Sequence, residues 1–265
     1  PLRQFGMTSH FSPTILGFPG YQNYACTSLN NVSNNPLKSI KAITFDLDGT
    51  LWDFEMVMRS SVALALEELA ERDPIAASRL DVDRIISVRD RIADELKTSV
   101  ISLEQVRLEG FKQALKDVDR PNDELATHIN NVYLQYRYAN IVPFADVVPA
   151  LTALRRRYKI GALTNGNSYP ERVGMGHLFD FAALASEQGI SKPDPRIFHI
   201  AVEMAQCEPA ELLHVGDDLV DDIEGASAAG VQSVWINRLG RHIPLEGAPE
   251  LQISNLSTLI DWLIE

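Results

Sequence analysis

Apolar residues fall along this chain in two rhythms. Between residues 54 and 140 they recur at helical spacing, as Met56, Val62, Leu66 and Leu69 do. A period near 3.6 residues predicts amphipathic helices. The first is predicted to stop at Asp73-Pro74, because proline drives the residue before it out of helical geometry. Further helices are predicted over 82–96, 103–118 and 123–138, the last entered through Pro121-Asn122-Asp123. No β pattern interrupts them. Elsewhere short aliphatic or β-branched runs alternate with helical stretches. Strands are predicted over 41–45, 159–163, 181–185, 212–216 and 231–236, and helices over 146–157, 195–206, 219–229 and 256–264.

Strands alternating with helices predict an α/β fold whose parallel sheet is covered on both faces. One strand precedes the helical block and the rest follow it. The block at 54–140 therefore reads as an all-helical insertion into a core formed by 41–53 and 141–265, with hinges expected near 53–55 and 140–143. Residues 1–40 show neither rhythm. They contain no Asp or Glu and are rich in Ser, Asn, Gly and Pro. They lack the apolar stretch and cleavage site of a secretory signal, and Arg3 is their one arginine before the core, where an organelle transit peptide needs several. The residues ahead of Met7 read as upstream read-through, and 1–40 as a flexible leader.

With 265 residues and 45% hydrophobic content, the chain can bury a core that needs no disulfide. Cys26 and Cys207 fit no metal or redox spacing and are expected as reduced thiols, which suits the cytoplasm. The net charge of −12 argues against nucleic acid or an anionic membrane as the main partner. No apolar run reaches the roughly 18 residues a membrane span needs. A monomer or homodimer is expected. An anionic substrate would have to be drawn in by local positive charge.

The candidate chemistry lies at predicted strand ends. Asp46, Thr164 and Asp217 each follow a strand, at the sheet edge where open α/β folds bind ligands. Asp46-Leu47-Asp48-Gly49-Thr50 presents two acids around a turn. Gly216-Asp217-Asp218-Leu219-Val220-Asp221-Asp222 packs four acids into six residues, more than a helix cap requires. In Ser191-Lys192-Pro193-Asp194-Pro195, capping explains Asp194 and Pro195 but leaves Lys192 over. Leu163-Thr164-Asn165-Gly166-Asn167 offers a hydroxyl and an amide suited to an oxyanion, though a turn explains it equally well. If Asp46, Asp48, Asp217 and Asp222 share a crevice, they bring four negative charges, of which one divalent cation and Lys192 return three. Oxygen donors without a His or Cys cluster select a hard cation, most simply Mg²⁺.

Taken in order, Asp46-Leu47-Asp48-Gly49-Thr50, Thr164-Asn165, Lys192-Pro193 and Gly216-Asp217 with Asp222 resemble the haloacid dehalogenase superfamily over about residues 41–262. The resemblance implies a Rossmann-like core with a helical, type-1 cap, and a phosphatase acting on a small phosphorylated metabolite. Asp46 would be the nucleophile that forms an aspartyl-phosphate, and Asp48 the general acid and base, lending its main-chain carbonyl to the metal. Thr164 and the amide of Asn165 would hold phosphoryl oxygens, and Lys192 would offset their charge, with its bond to Pro193 cis. Asp217 would bind Mg²⁺ directly and Asp222 would support it through water or Lys192. Trp52, Phe54, Arg59 and Lys112 are candidates for substrate contact. The stretches Val234–Arg238 and Lys192–Arg196 also look like 2-haloacid dehalogenases, but those use no metal, and a departing halide would leave Asp48 without a proton to give. A phosphoacceptor receiver domain is the other alternative, set aside because it has no use for a cap; a phosphate-binding relative without catalysis also remains open.

Overall fold

A computed structural model describes residues 36–96, 103–242 and 249–264. Its centre is a six-stranded sheet: β1 (Ala42–Phe45), β2 (Lys159–Thr164), β3 (Phe181–Leu184), β4 (Leu212–Gly216), β5 (Gln232–Ile236) and β6 (Gln252–Ile253). The order is β3-β2-β1-β4-β5-β6, with every pairing parallel. β1 and β4 are buried at every position, which is why their sequences read as continuous apolar runs rather than alternating ones. Phe45 stands opposite both Ala162 and Val215. Asp46 lies one residue beyond that level, and Thr164 and Asp217 two beyond it. The register thus delivers all three to one edge.

Helices cover both faces. On one, α6 (Val147–Leu154) and α10 (Leu256–Leu263) pack over Ile43, Phe45, Leu213 and Val215. On the other, α8 (Pro195–Ala205) and α9 (Gly225–Ala228) pack over Ala42, Leu163 and Leu212. A short helix, α7 (Ala185–Gln188), follows β3. The stretch between β1 and α6 holds α1 (Phe54–Arg72), α2 (Pro74–Ala77), α3 (Val82–Leu96), α4 (Leu103–Asp117) and α5 (Asp123–Ala139). Their apolar faces meet one another in a separate core that includes Leu69, Phe111, Leu115 and Ile129. Asp73 both ends α1 and caps α2 by accepting from the Ala76 amide, so one residue serves two helices.

Two chain crossings join the helices to the sheet, and they touch. Trp52 pairs with Pro143 in an isolated antiparallel bridge, and the Phe144 amide donates to the Leu51 carbonyl at 2.9 Å.

Several expectations shift. Residues 36–40, expected within a flexible leader, are ordered instead: Pro36–Ser39 forms a 3₁₀ turn, Leu37 is buried, and Ile40 is buried beside it. Residues 1–35, with Arg3 and Cys26, lie outside the described residues. The helix expected over 146–157 ends at Leu154, ahead of three consecutive arginines. That expected over 219–229 begins as a π-helical stretch, Leu219–Glu224, whose start is capped by Asp218 accepting from the Val220 and Asp221 amides. β6 and α2 are too short to show a period. Among the described residues, no helix is long and apolar enough to cross a membrane.

Candidate active site

Lys192 is the hub of the sheet edge. It precedes α8, whose start is fixed by Asp194 capping the Arg196 amide and by Pro195 in the first turn. The Lys192–Pro193 bond is cis. The lysine side chain is buried, and its Nζ donates to Asp46 Oδ1 at 2.7 Å and to Asp222 Oδ1 at 2.5 Å. Burial works against its charge, but Asp46 and Asp222 outweigh that and raise its pKa.

Asp222 is held from three sides. Lys192 and His214 Nε2, at 3.1 Å, donate to Oδ1, and the Asp218 amide donates to Oδ2 at 2.9 Å. Burial works against its charge, yet Lys192 and His214 prevail and keep its carboxyl well below the ordinary range. Burial lowers the His214 pKa, so the ring is neutral. The network then assigns the proton to Nε2 and lets Nδ1 accept from the Thr44 hydroxyl at 3.0 Å.

Asp46, Asp217 and Asp222 place ligand oxygens all within 4.8 Å of one another. For Asp46, burial pushes the carboxyl well above its usual range against the pull of Lys192, and Asp222 and Asp217 add to the rise. Burial and Asp222 likewise raise Asp217. Three acids served by one buried lysine leave negative charge uncompensated, and an all-oxygen donor set fits a hard divalent cation. Asp217 is oriented by the Thr50 hydroxyl at 3.2 Å and by Arg241 at 3.0 Å, while Trp235 Nε1 donates to its main-chain carbonyl at 2.9 Å. Gly49 adopts φ +94°, and a Cβ there would lie 2.7 Å from both Asp217 carboxylate oxygens. Only glycine permits that approach.

Asp48 has different company. Its carboxylate stands outside the acid cluster, and Oδ1 accepts from Trp52 Nε1 at 2.8 Å and from Ser168 Oγ at 2.9 Å. Its Oδ2 lies 3.6 Å from Arg137 Nη2. Arg137, on α5, is 1% exposed. It donates to Asn167 Oδ1 at 2.5 Å and Ser168 Oγ at 2.8 Å and lies over the Phe54 ring at 4.9 Å. One helical residue thus holds the loop after β2 and the acid after β1 together. In that loop Thr164 Oγ1 accepts from the Gly166 amide at 3.0 Å. The Asn165 side chain donates to the Lys192 carbonyl and the Asp221 carboxylate and accepts from the Lys192 amide at 2.7 Å.

The structure therefore brings Asp46, Asp48, Thr164, Asn165, Lys192, Asp217 and Asp222 to one edge, in two groups: the acid triad with Lys192, and Asp48 with Ser168. Of the substrate-contact candidates, Phe54 lines the cleft beside Asp48. Trp52 does not fit that expectation. It is fully buried and spends its one donor on Asp48. Arg59 pairs with Asp83, and Lys112 with Glu109, both at the surface away from the cleft. Sequence reasoning missed Arg137, Ser168, His214 and Arg241. Ser168 closes the polar run begun at Thr164, and that continuation was its available signal; the other three carried none, since pattern alone does not tell a buried arginine or histidine from a surface one.

Comparison with known proteins agrees with this geometry. A family model described as haloacid dehalogenase-like hydrolase matches residues 40–230. The chain is 31% identical to a 5-amino-6-(5-phospho-D-ribitylamino)uracil phosphatase, YigB, of Escherichia coli over 84% of this chain and 96% of that one. It is 28% identical to a glyceraldehyde 3-phosphate phosphatase of Methanopyrus kandleri over 85% and 98% of the two chains. Among solved structures, a 2-haloacid dehalogenase from Pseudomonas syringae is similar at a TM-score of 0.72 and 34% identity, covering 84% of this chain and 98% of that one.

Proposed function

Because the chain belongs to the haloacid dehalogenase-like hydrolases, we propose that it is a Mg²⁺-dependent phosphatase of small phosphomonoesters, with Asp46 as the nucleophile. The observation that carries this reading is the division of labour among the carboxylates. Asp46 lies against Lys192 in an acid cluster, whereas Asp48 stands apart, held by Trp52 and Ser168.

In the first half of the reaction a carboxylate oxygen of Asp46 bonds to phosphorus as the ester P–O bond breaks, and Asp48 gives its proton to the departing oxygen. In the second, Asp48 takes a proton from the water that attacks the phosphorylated Asp46, releasing phosphate and restoring both acids. Lys192 holds Asp46 in place and carries positive charge beside the transferring group. Thr164 and the main-chain amide of Asn165 orient the phosphoryl oxygens. Asp46, Asp217 and the main-chain carbonyl of Asp48, supported by Asp222 through Lys192, would hold Mg²⁺, which when bound supplies positive charge between the carboxylates and the phosphoryl oxygens. Residues 54–140 serve as a cap that shields the cleft from water, moving on hinges near 53–55 and 140–143. The reading extends to the cytoplasm, supported by Cys207, a free thiol.

The name of the Pseudomonas syringae relative favours a second reading, dehalogenation of a 2-haloacid. Against it stands Asp48, whose contacts are idle if halide leaves unprotonated. The test is release of phosphate from p-nitrophenyl phosphate and a panel of phosphorylated metabolites, with 2-chloropropionate run alongside. Phosphate release that needs Mg²⁺ is expected. Chloride release without any phosphate release overturns the proposal.

A further inference from the structure

A cleft of about 360 Å³ opens beside Asp48 between the sheet edge and the helices. Asn165, Gly166 and Asn167 form one wall; Arg89, Arg107 and Arg137 from α3, α4 and α5 form the other. Two carboxylates, Asp48 and Asp90, also line it, so three arginines outnumber the acids and leave the cleft net positive in a chain of net charge −12.

These cations are not equivalent. Arg89 donates to Asp90 at 2.5 Å, and Arg137 lies 3.6 Å from Asp48. Arg107 has no carboxylate partner among the described residues. It rests over the Tyr133 ring at 5.0 Å, and its Nη1 is buried without a hydrogen-bond acceptor. Burial is the largest influence on the group and lowers its pKa, with Arg137 adding to the fall. Two more buried donors without acceptors, Arg137 Nε and Asn167 Nδ2, belong to the same lining. Unpartnered buried donors are costly and rare, and three on one cleft call for an acceptor that the described residues do not supply.

We propose that the substrate's leaving group bears a carboxylate, bound in this cleft by Arg107 together with the free donors of Arg137 and Asn167. This rests on the phosphatase reading and names its substrate class, the phosphomonoester of a hydroxy acid. Arg107, the arginine of this lining without a carboxylate partner among the described residues, is neutralised by a single negative charge, and the guanidinium fork matches a carboxylate's two oxygens. A second phosphate would bring more charge than that one guanidinium returns.

The test compares 3-phosphoglycerate with glycerol 3-phosphate, which differ by a carboxylate in place of a hydroxymethyl group, on the full chain with Mg²⁺. The acid is expected to be favoured in kcat/KM by about 10-fold or more, and Arg107→Met to reduce that ratio about 10–100-fold, mainly through KM. Arg107→Lys should fall between, and melting curves confirm that both variants fold. Calorimetric titration of Asp46→Asn with the same two esters measures the preference without turnover. Failure to hydrolyse any phosphomonoester overturns the phosphatase reading. Equal affinities, a ratio unmoved by Arg107→Met, or a stronger preference for a bisphosphate overturns the carboxylate assignment.

Discussion

Replacing Asp46 by asparagine is expected to move stability and activity in opposite directions. The carboxylate sits 2.7 Å from Lys192 but has an oxygen within 4.8 Å of carboxylate oxygens of both Asp217 and Asp222. Burial and those two neighbours raise its pKa well above the ordinary 3.8 despite the lysine. The folded protein therefore holds this charge at a cost relative to water, at about 1.4 kcal/mol per pK unit. Asparagine keeps the shape and an oxygen facing Lys192, which retains Asp222 as its counter-ion. In EDTA at pH 7 the variant should be more stable by on the order of 1 kcal/mol, the usual scale when a charge clash at a functional site is relieved, which raises the melting midpoint by about 2–4 °C for a chain of this size. Turnover should fall by about 10⁴-fold or more, since an amide is no nucleophile. Thermal melts with and without chelator, run beside a phosphate-release assay, measure both. A variant that melts below its parent in EDTA would show that the site stabilises the Asp46 charge, contrary to the electrostatics drawn here; retained turnover would remove Asp46 from the chemistry.

Asp48→Asn is expected to slow esters with poor leaving groups far more than aryl phosphates, by about 10²–10⁴-fold for the former; an equal effect on both would deny it the role of general acid. Trp52→Phe removes the 2.8 Å bond to Asp48 and should lower kcat for esters with poor leaving groups while the KM for an aryl phosphate changes less than twofold or so; an unchanged kcat refutes that. Metal and pH are linked. Asp46 and Asp217 keep their protons above 3.8 in the folded chain and lose them near it when unfolded. The metal-free protein should thus lose stability as pH rises from 3.8 through their raised folded pKa values. Mg²⁺ should restore it, by about 2.7 kcal/mol at 100 times its dissociation constant, and should raise the melting midpoint more at pH 8 than at pH 5. A midpoint indifferent to Mg²⁺ at every pH would exclude a metal at this cluster.

The parallel sheet was legible because its strands are buried on both faces, so Ala42–Phe45 and Leu212–Gly216 stand out as apolar runs ending in acids. The helices 54–140 were legible because capping marks their limits, as Asn122 does for α5. The partners of Asp48 were not. Ser168 lies 120 residues away, and the Arg137 that braces both comes from a helix whose sequence marks it no differently from any surface arginine. Trp52 misled for a related reason: an aromatic beside the nucleophile suggests contact with substrate, whereas packing sealed it inside and used its indole nitrogen. The π-helical turn at Leu219–Glu224 has no propensity signal; within it Asp222 bonds to Lys192 and His214, partners that local sequence does not announce.

The pairing of Trp52 with Pro143 gives the molecule a mechanical property. Both chain crossings are stitched side by side, so if the helices swing as the proposed cap, the crossings would act like adjacent pins of one door. The residue whose main chain forms one pin also grips Asp48 with its indole. On the proposed reading, with residues 54–140 as the moving cap and Asp48 as the proton donor, a swing of the door would tug on the acid itself and time proton delivery to closure.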